Sequence, residues 1–218
     1  MTAFHNVWIY VFTVNDSSCS QQRLCLAVTD YCKSCGIPIP QPEKLAVVRT
    51  EKGKPYFPYS PHIHFSISHS GEYWSCAIAD QTIGYDLQEP VLPRNETPEE
   101  QALLHQKMAS RFFHPAEAEF VSMDCLHNFF AVWSAREAYV KYTGQGIDRY
   151  FSEHCVVPDS LGEQCRISGT AENVGWSAMG CFFWKAYYDG GYTMCVCTEK
   201  PCNYTVIPHA CIKRSALD

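Results

Sequence analysis

The sequence predicts an α+β fold, and three observations carry that prediction. Apolar and polar residues alternate in several short segments, with the period of two that is typical of strands. Residues 126–142 contain neither glycine nor proline and are long enough for a helix. With 218 residues and a hydrophobic fraction of 46%, the chain can bury a core as one domain or as two small ones.

In the first half of the chain the predicted elements are mostly strands. Residues 7–14 form an apolar run that is too short for a membrane span, and no basic segment precedes it, so we expect a first strand and no signal peptide. Ile63, Phe65 and Ile67 alternate toward a predicted core. A further strand is predicted at residues 83–88.

The second half contains the predicted helices and a closing hairpin. In chain order we predict a polar, proline-containing connector at 88–97, helices at 98–113, 114–123 and 126–142, and a hairpin at 182–197 that turns at Asp189-Gly190-Gly191. Gly144 and Gly146 are expected to end the long helix. Beyond residue 200 no strong pattern appears, and we expect a tail packed on the outside.

On the long helix, an acid and a lysine lie one turn apart. Leu126, Phe129, Trp133 and Val140 form one apolar stripe, and the pair Glu137 and Lys141 lies at its edge, where it can be anchored and still reach a cleft. For the isolated pair we favour a surface salt bridge worth about 0.3–0.5 kcal/mol. Other groups in the chain change that interpretation.

The predicted strand at 83–88 supplies a second acid. Because side chains alternate along a strand, Asp86 and Gln88 project from the same face, and Glu89 projects from the other. Gly84 on the face of Asp86 would allow close approach of a ligand. An acid on a strand and Glu137 on a helix, with a lysine one turn further, suit a magnesium-bound pyrophosphate.

Two upstream motifs complete a set whose order is specific. Gly53-Lys54-Pro55 comes before a predicted strand and Ser68-His69-Ser70-Gly71 ends it; Gly84-Tyr85-Asp86 follows, and then Trp133-Ser134-Ala135-Arg136-Glu137 with Lys141. This order resembles that of the 4′-phosphopantetheinyl transferase superfamily, of the surfactin-synthetase-activating type, whose helix has the pattern W-S-x-K-E-x-x-x-K. The resemblance covers residues 49–200.

The resemblance implies two similar α+β subdomains related by a pseudo-twofold, with the active site between them. We expect an N-terminal subdomain at 1–89, with the coenzyme A motifs, and a C-terminal subdomain at 90–218, with the signature helix. It also implies a monomeric, cytoplasmic enzyme that transfers the 4′-phosphopantetheine of coenzyme A to a serine of an apo acyl or peptidyl carrier protein. The second product is adenosine 3′,5′-bisphosphate.

The resemblance assigns roles residue by residue. The metal, Mg²⁺ or Mn²⁺ in its place, would be held by Asp86, Glu137 and Gln88, the last by its amide oxygen or through a water. Glu137 would take the proton of the serine, directly or through a metal-bound water, and Lys141 would stabilise charge on the pyrophosphate or leaving group. Coenzyme A would be bound by Arg49, Lys54, Ser68, His69 and Lys141.

This chain departs from the family pattern at several positions. Gln88 stands where the family has a second strand acid, and Arg136 stands where a lysine usually precedes the helical glutamate. The first helix of many relatives is rich in basic residues that contact the 3′-phosphate of coenzyme A, whereas residues 18–34 offer only Arg23 and Lys33. The alternative function is therefore a catalytically impaired module that binds coenzyme A or the carrier protein on the same fold.

The net charge of −6 argues against a nucleic-acid partner, and no run reaches the length of a membrane span. Both proposed substrates are anionic, so positive charge must be concentrated locally. Candidates for this basic surface are Lys52, Lys54, Arg136, Lys141, Arg149 and Lys185. The thirteen cysteines are odd in number, and for Cys32 and Cys35 free thiols are favoured over a metal or redox pair.

Overall fold

The computed structural model describes residues 5–14, 18–90, 97–146, 153–170 and 173–208. Helices and strands are mixed along the chain, which confirms the α+β class. The elements are β1 (Asn6–Thr13), α1 (Ser20–Cys35), β2 (Val48–Arg49), β3 (Pro55–Tyr56), β4 (His64–Ser70), β5 (Tyr73–Ala79), β6 (Gly84–Gln88), α2 (Pro98–Phe112), α3 (Pro115–Met123), α4 (His127–Thr143), α5 (Leu161–Ile167), β7 (Val174–Ala178), β8 (Cys181–Tyr188), β9 (Tyr192–Thr198) and β10 (Asn203–Pro208).

The first sheet has the strand order β10-β1-β5-β4. Strand β5 pairs antiparallel with both β1 and β4, and β10 runs parallel to β1. Helix α1 covers one face, where Leu24 and Val28 pack against Tyr10, Phe12 and Ile78. Residues 203–208 are therefore a strand, and the expectation of an unpatterned tail is wrong for them, because they satisfy the open backbone edge of β1.

The second sheet has the order β6-β9-β8-β7, with every pair antiparallel. Its predicted hairpin is confirmed: β8 and β9 are joined by a single 3₁₀ turn at Asp189–Gly191. Helix α4 lies against this sheet, and Gly144 ends it in the left-handed conformation, with φ of 68°. The helices predicted at 98–113, 114–123 and 126–142 are all present within one or two residues.

Helix α4 is buried on more sides than one apolar stripe explains. Phe129 and Val132 pack in the core, and the polar Asn128, Ser134 and Arg136 are buried as well. Asn128 is satisfied there, because its side-chain amide donates to the Phe120 carbonyl and to the Ser168 hydroxyl. A helix enclosed in this way holds its functional side chains in fixed positions.

The two sheets meet along β4 and β6. On this line three alternate serines of β4, which we call the serine ladder (Ser66, Ser68 and Ser70), face β6. The Ser66 hydroxyl accepts from the Tyr85 amide at 3.0 Å, and the Ser70 hydroxyl accepts from the Glu89 amide at 2.9 Å. Side-chain hydroxyls therefore join the sheets where a backbone ladder would otherwise run.

The sheets exchange strands between the two halves of the sequence. Strand β6, from the first half, belongs to the second sheet, and β10, from the second half, belongs to the first. The division at residues 89 and 90 and the pseudo-twofold relation stay predictions. Among the described residues, no helix combines the length and the apolar character needed to cross a bilayer.

Candidate active site

Asp86 lies at the junction of β4, β6 and α4. Lys141 Nζ donates to Asp86 Oδ1 at 2.7 Å, and the Ser68 hydroxyl donates to the same oxygen at 2.8 Å. Lys141 Nζ also donates to Ser68 Oγ at 3.2 Å. The structure thus brings three of the sequence-predicted site residues into direct contact.

The other oxygen of Asp86 is left without a partner. Asp86 is only 5% exposed, and its Oδ2 has no hydrogen-bond partner among the described residues. A buried carboxylate oxygen without a donor is costly, because it has lost its water and gained nothing in return. The oxygen is therefore available to a ligand that supplies positive charge.

Glu137 is half-buried on the adjacent face of α4. Burial raises the pKa of its carboxyl, and the negative charge of Asp86 raises the pKa further, whereas Lys141 and Arg136 oppose the shift. Two carboxylates that interact in this way repel each other unless a cation is held between them. The pair has the electrostatic character of a metal site or of an acid–base pair.

Gly84 sets how closely α4 lies against β6. A Cβ placed on Gly84 would lie 1.9 Å from the Ala138 carbonyl oxygen and 2.4 Å from the Tyr142 amide nitrogen. The group that approaches this glycine is thus the backbone of α4, and the expectation that the glycine admits a ligand is wrong. Close packing at Gly84 brings the acid of β6 near the acid of the helix.

A cavity of about 460 Å³ opens beside these residues. Its basic lining is formed by Arg49, Lys52, Lys54, His69 and Lys141. Phe65, Ile67, Trp74 and Val140 supply apolar surface. A cavity with cationic and apolar walls suits an anionic ligand that also carries rings or aliphatic chain.

Besides Lys141, two basic residues of the cavity have protein partners. Lys54 Nζ donates to the Tyr142 carbonyl at 2.6 Å, in the last turn of α4, and burial lowers the pKa of Lys54 to about 8. Arg49 Nη1 donates to the Gly53 carbonyl at 2.8 Å. Lys52 and His69 are exposed. Lys54 therefore caps a helix in addition to facing the cavity.

The prediction that Arg136 and Lys185 belong to the basic surface is wrong. Arg136 is 2% exposed and pairs with the fully buried Glu117 on α3. Lys185 is fully buried, and its Nζ donates at 2.9 Å to the carbonyl of Ile167, the last residue of α5. Both side chains therefore have buried protein partners and do not present their charge at the surface. Arg149 lies outside the described residues.

The side chains of Gln88 and Glu89 have different surroundings. The half-buried Gln88 side chain donates from its amide nitrogen to the Glu89 carbonyl at 3.2 Å, which leaves its amide oxygen for another ligand. The carboxylate of Glu89 lies against Gly71, where an added Cβ would be 2.5 Å from Oε2. The Tyr192 hydroxyl adjoins the same glycine. That Gln88 and Glu89 project from opposite faces of the strand stays a prediction.

The donor set suits magnesium. Among the described residues no group of three or more His, Cys, Asp and Glu side chains is arranged to hold a metal ion. Mg²⁺ needs less, since it keeps several waters and commonly takes one or two carboxylates together with substrate phosphates. Asp86, with its unpartnered buried oxygen, Glu137 and the amide oxygen of Gln88 fit that requirement.

Ser66, Tyr142 and the bond between Ser68 and Asp86 were not predicted from the sequence. The S-x-S-x-S spacing at 66–70 was a visible signal that one face of β4 is polar. Nothing in the sequence indicated that this face is buried against β6. The contact of Tyr142 with Lys54 uses a backbone carbonyl, which carries no residue signal.

Comparison with known proteins gives the same family as the order of the motifs. The sequence profile of the 4′-phosphopantetheinyl transferase superfamily matches residues 82–197, more than half of the 218 residues. That range contains Asp86, Gln88, Glu137 and Lys141, and it excludes the cavity residues that lie upstream.

Individual relatives are similar over shorter or longer parts. The chain is 29% identical over 155 residues to 4′-phosphopantetheinyl transferase Sfp of Bacillus subtilis (strain 168), covering 69% of this chain and 62% of the relative. It is 29% identical over 161 residues to 4′-phosphopantetheinyl transferase psf-1 of Bacillus pumilus, covering 73% and 64%. A 4′-phosphopantetheinyl transferase of Bacillus subtilis is 34% identical over 103 residues, covering 44% and 40%. The chain thus spans less than two thirds of the length of each of these relatives.

Proposed function

The chain belongs to the 4′-phosphopantetheinyl transferase superfamily, and from this premise we propose that it transfers the 4′-phosphopantetheine group of coenzyme A to a serine of an apo acyl or peptidyl carrier protein. The observation that carries the proposal is the buried, unpartnered Oδ2 of Asp86 beside Glu137, at the side of a cavity lined by basic residues. An oxygen so placed favours a bound cation, and the cavity suits an anion.

The proposed reaction is a phosphoryl transfer with a simple balance. The carrier serine oxygen attacks the phosphorus that bears the pantetheine. The bond from that phosphorus to the oxygen of the neighbouring 5′-phosphate breaks. Adenosine 3′,5′-bisphosphate leaves with the electron pair of that bond, and the serine proton passes to a base. Such reactions depend mostly on positioning and on stabilisation of charge.

Each residue of the site has a part in this scheme. Glu137 takes the serine proton, and its raised pKa, caused first by burial and then by Asp86, suits a base that acts near neutral pH. Lys141 projects from the next turn of α4 and balances the charge that grows on the leaving phosphate. Mg²⁺ held by Asp86, Glu137 and Gln88 would neutralise pyrophosphate charge when it is bound.

The basic lining of the cavity supports binding of coenzyme A. Arg49, Lys52, Lys54 and His69 border the space beside Lys141 and surround its apolar wall. Contacts of these groups with phosphates would compensate locally for the net charge of −6. On α1 the basic residues are Lys33 and the buried Arg23, so the segment from Arg49 to Lys54 is the main source of positive charge at the cavity.

The test is the mass of an apo carrier protein after incubation with this chain, coenzyme A and Mg²⁺. We expect the mass to increase by one phosphopantetheine group. Asp86→Asn and Glu137→Gln should abolish the increase while the circular dichroism spectrum is retained. Glu89→Gln is the matched control, since it removes a carboxylate from the next position of the strand, and it should retain activity.

Three outcomes would contradict parts of the proposal. Near-normal turnover of Asp86→Asn or Glu137→Gln would remove that residue from the essential set. Loss of activity in Glu89→Gln, with Gln88→Ala unaffected, would assign the second strand ligand to Glu89. Binding of coenzyme A by a wild-type chain that leaves every carrier protein unmodified would favour the impaired binding module.

A further inference from the structure

The resemblance to the family assigns Ser68 to coenzyme A, and the structure places it elsewhere. Ser68 is 7% exposed and is absent from the lining of the 460 Å³ cavity, whereas its neighbours Ile67 and His69 both line it. Phe65 and Ser66 of β4 line the cavity as well, so Ser68 is the residue within 65–69 that does not. Its hydroxyl is turned to β6 and Asp86.

The direction of the hydrogen bonds around Ser68 is fixed by chemistry. The ammonium group of Lys141 can only donate, so the hydroxyl of Ser68 accepts from it at 3.2 Å. The hydroxyl has a single proton, and the nearest acceptor is Asp86 Oδ1 at 2.8 Å, closer than the Leu87 carbonyl at 3.4 Å. Ser68 therefore donates to the carboxylate.

Two donors on one oxygen orient the whole carboxylate of Asp86. Oδ1 receives Ser68 at 2.8 Å and Lys141 at 2.7 Å, while Oδ2 stays buried without a partner among the described residues. We propose that Ser68 is a positioning residue, which holds Asp86 Oδ1 and thereby presents Oδ2 to a divalent cation, and that it makes no contact with coenzyme A. This inference rests on the proposed function for the identity of the ligand.

The other members of the serine ladder provide an internal comparison. The hydroxyls of Ser66 and Ser70 accept hydrogen bonds from backbone amides, from Tyr85 in β6 and from Glu89 directly after it. Ser68 is the member of the ladder whose hydroxyl reaches a carboxylate. Replacing Ser70 removes a bond of the same strand pair without touching Asp86, so Ser70→Ala is a matched control for any loss of structure.

The experiment measures metal and coenzyme A binding separately on the full chain. Mn²⁺ binding is followed by electron paramagnetic resonance in the presence of coenzyme A, and coenzyme A binding is followed by calorimetry in the presence of a chelator. Ser68→Ala should weaken Mn²⁺ binding by about tenfold, the lower end of what loss of a hydrogen-bond partner of a metal ligand causes. Its affinity for coenzyme A without metal should stay within about twofold of wild type. Ser70→Ala should leave both constants unchanged, and urea denaturation should show both variants folded.

Three results would overturn the positioning role. The first is that Ser68→Ala binds Mn²⁺ as tightly as wild type, and the second is that wild type takes up no Mn²⁺ at all. The third is a loss of coenzyme A affinity in Ser68→Ala without metal, which would restore the contact that the resemblance implies. If Ser68→Ala weakens Mn²⁺ binding as expected but no carrier protein is modified by wild type, the positioning role stands and the proposed transfer reaction fails.

Discussion

Replacing Gly84 by alanine tests whether the distance between β6 and α4 controls the site. The added Cβ would lie 1.9 Å from the Ala138 carbonyl oxygen and 2.4 Å from the Tyr142 nitrogen, and both are backbone atoms of α4. No side-chain rotation can relieve such a contact. To bring the closer pair to 3.0 Å, strand and helix must separate by about 1.1 Å.

The separation has a cost in stability and a larger cost in activity. Overpacking of this kind lowers the free energy of unfolding by about 1–3 kcal/mol, and each kcal/mol lowers Tm by about 2–4 °C in a chain of this size. Glu137 and Lys141 move with the helix while Asp86 stays on the strand. A misplacement near 1 Å can reduce turnover about 100-fold, and we expect a loss of that order.

The assay combines carrier-protein mass spectrometry with urea denaturation. Gly162→Ala is the control, because Gly162 is in α5 and its added Cβ would have no atom within 4 Å. That variant should keep full activity and equal or exceed wild-type stability. A Gly84→Ala variant with wild-type turnover would refute the argument that backbone contact between β6 and α4 sets the site.

Three further predictions concern single charges or ligands. Burial lowers the pKa of Lys185 to about 8, so the unfolded chain holds this proton more tightly than the folded chain does. Raising the pH from 7 to about 9.5 should therefore increase the unfolding free energy of wild type by about 2 kcal/mol relative to Lys185→Met in urea titrations, and an unchanged difference would contradict this. Lys52 lines the cavity and is exposed, so Lys52→Gln should weaken coenzyme A binding by about two- to fivefold in calorimetry and leave the stability unchanged. Lys107→Gln, on α2, is the control and should change neither the affinity nor the stability. Gln88→Glu adds a carboxylate and should shift half-activation to lower Mg²⁺, and a metal titration identical to wild type would argue against Gln88 as a ligand.

Helix α4 shows what a single sequence can predict. Its length follows from an uninterrupted run of helix-compatible residues, and its end follows from Gly144 in the left-handed conformation. Both signals are local, so they survive whatever the rest of the chain does. The placement of Glu137 and Lys141 one turn apart follows from the helix period alone.

Arg136 shows where local reasoning stops. Its neighbour Glu137 is at the candidate site, but periodicity does not reveal that the side of α4 carrying Arg136 is buried. The position of the Arg136 side chain is set by its ion pair with Glu117, nineteen positions away on α3, and by the Phe113 ring, whose centre is 5.3 Å from the guanidinium. A buried charge requires a partner, and the identity of that partner is a property of the tertiary structure.

Strand β10 was missed for a related reason. Its apolar residues, Tyr204, Val206 and Ile207, are few and only partly buried, so the run of six gives a weak periodic signal. Its stabilisation comes from backbone pairing with β1 and from the Tyr204 ring, which stacks on Trp184. The serine ladder likewise depends on which strand lies opposite, although its spacing is visible in the sequence.

The parallel pairing of β1 with β10 has a consequence for synthesis on the ribosome. Strand β1 emerges before the other strands of its sheet, yet the partner for its outer edge lies nearly two hundred residues later, at Asn203–Pro208. Until those residues appear, the nascent chain carries an unpaired edge beside Val7, Ile9 and Val11, a hazard for association with other chains. Completion of the first sheet is thereby tied to the synthesis of residues 203–208, so we expect this sheet to acquire its full stability only after they emerge and to benefit from chaperones before then.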